Sequence, residues 1–328
     1  MKSRPPRGAL LPPASRAYLA VMRATDATPI LPPGLLQSLA RTLVRDMMAV
    51  EGRPAVDFSK PKGATALVPP QSVSWRVFKN PVALFVGGVA AVILELAEPR
   101  VRAGVWEFTS FRTDPVTRLR RTGLAAMVTV YGARGAAEAM IAGVRRMHEI
   151  VSGVTESGLP YRATDPELLD WVQATAAFGF LEAYRHYVHP LSRAERDRYY
   201  GEGVEAAALY GARGAPRNEA ELKALFDAMR PRLERSAVIL EFLDIMRRAP
   251  VFPMALRPAQ RLLVRAAIEL TPPELRRKLG LEKVGLRFGE RALVKLAGRL
   301  SDRVVIDASP AVQACRRLGL PRDYLYRG

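Results

Sequence analysis

Residues 112–153 read RTDPVTRLRRTGLAAMVTVYGARGAAEAMIAGVRRMHEIVSG. Asp114 followed by Pro115 is a good N-cap and first-turn pair, because the carboxylate accepts from a free helix N–H and proline needs no partner for its own nitrogen. Gly132 is a plausible stop. A second helix then runs from GARGAAEAM to about Gly153. Two helices joined at one glycine predict an all-α protein at this point. On the second helix, Ile141, Val144 and Val151 share a face with His148, so the imidazole projects from an apolar stripe. On the first, Arg118, Arg121 and Thr122 stand at i, i+3 and i+4 and share a face.

The same periodicity continues outward. Apolar residues recur at three- and four-residue spacing, and no convincing run alternates as a strand does. Residues 1–33 are rich in Pro and Arg and read as an extended arm. A helix opens near Leu35, and residues 51–80 carry enough breakers to read as a long irregular connection. Residues 81–94, PVALFVGGVAAVIL, form the most apolar run. It is too short to span a bilayer, and Glu95 and Glu98 follow it, so it reads as a buried helix. Pro166 starts a helix that reaches about His189, Ser192 and Glu195 form a capping box, and Asn218 caps another helix. After a break at Pro250–Pro253, helices are expected near 257–270, 272–279, 286–300 and 309–317. The expected organisation is the arm plus one helical domain over 34–328.

Composition narrows the function only a little. The chain has 328 residues and a formal charge of +18, from 42 Arg and 8 Lys. The arginines are spread along the chain and do not interleave with aromatics as stacking platforms for nucleic acid do. No nucleic-acid partner is therefore expected. Cys315, the lone cysteine, excludes an internal disulfide framework and fits a reducing, cytoplasmic compartment. It lies at helical spacing from apolar residues and reads as packing. No signal-peptide segment is found, and peripheral membrane contact stays open. Three histidines and one cysteine cannot make a usual Cys/His zinc site. There is no phosphate loop, no nucleophile elbow and no Glu-x-x-His pair.

His148 has two readings. One is a core histidine with both ring nitrogens hydrogen-bonded. The other is an axial ligand to haem iron, for which a neutral imidazole in an apolar pocket is suited. Arg118, Arg121 and Thr122 are either a solvated face or a site for an anion or polar ligand. Trp171, Thr175 and Phe178 give an aromatic-rich face that usually belongs to a core. His186 and His189, near a helix end, suit a surface or dipole role.

Four segments in this order resemble the catalytic domain shared by the ER-bound oxygenase MpaB and the rubber oxygenases (latex-clearing proteins). They are PVALFVGGVAAVILELAEPRVRAGVWEFTSFRTDPVTRLRRT, VRRMHEIVSG, GLPYRATDPELLDWVQAT and AYRHYVHPLSRAERDRYYGE. The resemblance runs from about Phe78 to Gly280. It implies an all-helical fold with a globin-like core, b-type haem, and oxidation or cleavage of a carbon–carbon double bond by dioxygen. The implied substrate is an apolar unsaturated small molecule or polymer, isoprenoid or lipid.

By the same resemblance, Arg145-Arg146-Met147-His148 matches the Arg-x-x-His motif of the proximal ligand, which makes His148 the metal ligand. Arg145 would orient it or pair with a propionate. Arg118-Leu119-Arg120-Arg121-Thr122 matches the distal Arg-x-x-Lys-Thr motif with one change. Arg118, Arg121 and Thr122 would line the distal side, Arg118 also holding a propionate, with Trp171 and Gln173 in the pocket wall or behind it. Arg121 replaces a lysine that can occupy the sixth iron position, and a protonated guanidinium has no lone pair for iron. Gln173, Glu98 and Phe108 stand where many relatives have histidine. Glu98 or Glu107 could supply a distal carboxylate that takes a proton from an allylic carbon. Two other readings of the sequence are a haem-binding sensor or carrier without oxygenase activity, and a basic helical module for nucleic acid or anionic lipid.

Overall fold

The computed structural model describes Val44, Met48, Ala49 and residues 55–327. The arm at 1–33 lies outside the described residues. Of the helix expected from Leu35, only Val44 and Met48 are described as helical. The described chain folds into α-helices with one small hairpin, an all-α protein as its periodicity predicts.

The helices relevant to the site come in chain order. They are α1 (Val73–Phe78), α2 (Pro81–Glu95), α3 (Pro99–Phe108), α4 (Pro115–Tyr131) and α5 (Arg134–Glu149). Strands β1 (Ser152–Val154) and β2 (Pro160–Arg162) pair antiparallel with Gly153 opposite Tyr161. Then follow α6 (Pro166–Tyr187), α7 (Arg193–Tyr210), α8 (Glu219–Met229), α9 (Ala237–Arg248), α10 (Arg257–Leu270), α11 (Pro273–Lys278), α12 (Glu290–Asp302) and α13 (Pro310–Arg317). The stretch 51–80 holds the short helix α1, so it is not wholly irregular. Its Ser72 cap sits among breakers that mask a six-residue helix. The turn at 154–163 is the small hairpin; three-residue strands are too short for alternation to show.

The apolar run becomes α2, the centre of one contiguous core. Asn80 caps it by accepting from the Ala83 N–H at 2.9 Å. No single helix among the described residues is long and apolar enough to cross a membrane. The chief partner of α2 is α6. Gly87 and Gly179 meet at this crossing, and a Cβ on Gly87 would stand 2.7 Å from the Gly179 carbonyl oxygen. Only two glycines let these backbones approach so closely. Capping works as the sequence predicts at Asp114, Ser192 and Asn218. The Ser192–Glu195 capping box is complete in both directions.

Helices α4 and α5 form an antiparallel pair hinged at Gly132. Near the hinge, Tyr131 is buried and its hydroxyl donates to the Trp75 carbonyl at 2.7 Å. Away from the hinge, the residues from Arg118 to Ala126 keep accessible surface. The pair is sealed at one end and open at the other, and the open end carries Arg118 and His148.

Candidate functional site

His148 lies in the last turn of α5. The helix stops because the chain turns into β1, whose partner β2 packs with it against α3. Val151 donates back to the His148 carbonyl at 3.1 Å, and Ala163 donates to the Val151 carbonyl at 2.9 Å. The hairpin therefore fixes the end of the helix that carries the imidazole.

His148 Nδ1 is enclosed and has no hydrogen-bond partner. This separates it from the other two histidines. His186 Nδ1 lies 3.0 Å from the Glu182 carbonyl oxygen and 3.3 Å from its carboxylate. His189 Nε2 lies 3.4 Å from Asp302. Burial, and after it the positive charge of Arg118, holds the His148 pKa below its ordinary value. The ring is therefore neutral at pH 7, the form in which an imidazole nitrogen can donate a lone pair to a metal.

Arg118 lies on the facing helix. Its guanidinium stacks over the buried Phe111 ring, 5.1 Å from the centroid. Burial lowers its pKa, and Glu95 partly offsets this. Glu95 is the last residue of α2. Burial raises its carboxyl pKa to about 7, with Arg118 pulling the other way. Protein surrounds both side chains, yet each keeps some accessible surface. Glu95, Arg118 and His148 thus form an electrostatically linked row of carboxyl, guanidinium and imidazole.

The other expected site residues fall differently. Arg121 and Thr122 are exposed. The Thr122 hydroxyl donates to the Arg118 carbonyl of its own helix at 3.0 Å. Arg145 is exposed and shares with His148 a cleft of about 520 Å³. Thr164, Leu169, Tyr210 and Arg213 line its other sides. The loop after α7 forms one wall, held by Asp170, whose carboxylate accepts from the Arg213 and Gly214 N–H groups at 2.7 and 2.8 Å. Gln173 is half-buried on α6.

The remaining expected residues take the following places. Of the two places expected for Trp171, in the pocket wall or behind it, its full burial fits the second, and its indole N–H donates to the Leu94 carbonyl at 3.2 Å. It closes the end of α2 beside Glu95, so its part is positional. Glu98 is not a distal base, because it caps α3, accepting from the Val101 N–H and from Arg100 Nε at 2.8 Å each. Glu107 is exposed and accepts from the Tyr161 hydroxyl at 3.2 Å. The carboxylate in the row is Glu95. In the sequence it reads only as the polar end of an apolar run, and nothing along its own helix announces its burial or the nearby charge of Arg118.

Chemically, the row offers a lone pair at His148, a fixed positive charge at Arg118 and a proton site at Glu95 that titrates near neutrality. Among the described residues no three His, Cys, Asp or Glu side chains gather as they would around a bare ion. No curated protein and no solved structure matches the chain. The sequence model of the "ER-bound oxygenase mpaB/B'/Rubber oxygenase, catalytic domain" family matches residues 75–302, from α1 to the end of α12. That span contains Glu95, Arg118, Arg121, Arg145 and His148. The chain belongs to this family and carries an oxygenase catalytic domain.

Proposed function

We propose that the protein is a haem b oxygenase that oxidises or cleaves a carbon–carbon double bond of an apolar isoprenoid or lipid. The observation that carries this reading is the neutral, unpartnered imidazole of His148. A buried polar atom without a partner costs about 1–3 kcal/mol, and such an orphan in a native fold suits a group that engages a ligand. With His148 alone and, among the described residues, no cluster of other donors, the site fits a macrocycle that brings its own nitrogens better than it fits a bare metal ion. The cleft beside His148 is within the common range for ligand sites, about 300–1,000 Å³.

Haem, when bound, would supply the iron at which dioxygen is activated. His148 would hold it from one side. Arg145, and Arg121 at the exposed rim, suit its propionate carboxylates, which a guanidinium grips with two hydrogen bonds. Arg118 would hold a fixed positive charge beside the bound group, and low local polarity would make that charge effective. Arg121 has no lone pair to offer a metal, so it would act only as a donor to an anion. Glu95, whose carboxyl pKa burial raises to about 7, would hold or release a proton at the site near neutral pH. Met147 and Ile150, exposed beside His148, give the open end an apolar rim that suits a hydrophobic substrate.

The test is oxygen-dependent turnover of short polyisoprene oligomers and unsaturated lipids by the haem-loaded protein. Carbonyl products that disappear without oxygen are expected. Stable haem binding with no product from either class would instead establish a non-catalytic haem protein.

A further inference from the structure

Helix α12 carries apolar residues on two opposite faces. Its inner face is locked into the fold. Val294 is buried, Gly298 lies so close to the Tyr187 carbonyl that no Cβ fits, and Asn80 Nδ2 donates to the Gly298 carbonyl at 2.9 Å. Asp302 is buried and pairs with Lys79 at 2.8 Å. On the outer face, Leu293, Leu296 and Leu300 are 57, 55 and 54% exposed, and Val304 continues the line just beyond the helix. Phe288, just before the helix, is fully exposed. Leu293, Leu296 and Leu300 follow the i, i+3, i+7 spacing of one helical stripe. The helix that carries the row has 13 residues and is about 20 Å long at 1.5 Å per residue.

A second row runs beside it. Arg287, Arg291, Lys295, Arg299 and Arg303 recur at every fourth position. Arg291 reaches Glu269 at 3.7 Å, while the other four make no ion pair among the described residues. The two acids of the helix are engaged elsewhere, Glu290 with Arg265 at 2.6 Å and Asp302 with Lys79. Arg299 Nε also donates to the Val188 carbonyl at 3.4 Å and Arg287 lies near Glu290, so the outward face is leucine and a surplus of positive charge over the one acid at its first turn.

We infer that this face docks on an anionic lipid surface. A helix with an exposed Leu/Phe stripe flanked by Lys and Arg lies in the plane of a bilayer interface, the leucines among the acyl chains and the cations at the headgroups. Charge decides against the other occupants. A second copy placed on the stripe would set one basic row against another. The chain's own residues 1–54 carry eight Lys and Arg against three Asp and Glu, so they too are repelled. This inference is independent of His148.

The full-length protein is mixed with vesicles of phosphatidylcholine containing 30% phosphatidylglycerol, or of phosphatidylcholine alone, and sedimented. Binding to the anionic vesicles is expected, at least tenfold weaker for L296E and for R299E/R303E, with helicity unchanged. H148A should bind vesicles as the wild type does. An environment-sensitive dye on L296C (the native Cys315 is buried) should shift to the blue on anionic vesicles only. Unchanged binding by L296E, or a dye that does not respond while the protein sediments with the vesicles, would overturn the inference. So would a wild type that ignores vesicles but forms a dimer that L296E dissolves.

Discussion

Arg118 and His148 face each other across the open end of the α4–α5 pair, and the guanidinium adds to burial in keeping the imidazole neutral. A helical pair sealed at Tyr131 and open at Arg118 holds a cation beside a base that has no partner. Glu95 extends this relationship to a third residue, since the same guanidinium limits how far burial raises the carboxyl.

Arg118→Met keeps an apolar stem over Phe111 and removes the charge. The His148 pKa should rise toward 6.5 but stay below it, because burial remains. The Glu95 pKa should rise above about 7, because its only opposing influence is gone. Titration of the His148 ring proton by NMR, assigned by its loss in H148A, measures the first shift. An unchanged His148 would show that the two residues are not coupled.

Glu95 makes stability depend on pH in a definite direction. Its folded pKa, about 7, lies above the ordinary 4.5, so the folded state binds the extra proton between these values. Stability is full below about 4.5 and falls as pH rises through 7. The shift corresponds to about 3 kcal/mol, lessened by the water that reaches the side chain. Glu95→Gln should therefore be more stable than the wild type at pH 8, and the difference should vanish by pH 4. Denaturant midpoints at the two pH values give the answer; an equal difference at both would contradict the burial argument. In turnover, the rise of rate with pH near 7 should be absent in Glu95→Gln.

Glu98→Ala separates the helix cap from the proton acceptor. Loss of the bond to the Val101 N–H should lower stability by about 0.5–2 kcal/mol. The pH profile of turnover should keep its shape. A flattened profile would return Glu98 to the chemistry.

Gly179→Ala tests the α2–α6 crossing. The added methyl meets the backbone of Gly87, which cannot rotate away. Overpacking of this kind costs about 1–3 kcal/mol, and α2 would carry Glu95 with it. The midpoint of urea unfolding should fall, and turnover should fall with it. A variant as stable as the wild type would show that the crossing is looser than described.

The fold was legible where local chemistry fixes it. Asp114-Pro115, the Ser192–Glu195 box and Asn218 mark helix starts through their own side chains, and the structure has helices beginning at each. The stripe of Ile141, Val144 and Val151 also turned His148 toward the facing helix. What stayed hidden depends on contacts between distant residues. Trp171 matches a family segment, yet its indole closes α2 within the core, and no spacing along its own helix reveals a partner 77 residues away. Glu98 and Glu95 stand three residues apart and look alike in sequence. One caps the next helix and the other is enclosed at the end of α2, on either side of the bend of 114° between α2 and α3.

The central claim is that His148 holds haem iron, and the most direct measurement is the absorption spectrum of the purified protein after haem reconstitution, wild type beside His148→Ala. The account predicts a strong Soret band for the wild type. It also predicts loss of that band in His148→Ala, whose far-ultraviolet circular dichroism stays that of the wild type, and recovery when imidazole is added. A wild type that takes up no haem, or a His148→Ala variant with an unaltered Soret band, would contradict it.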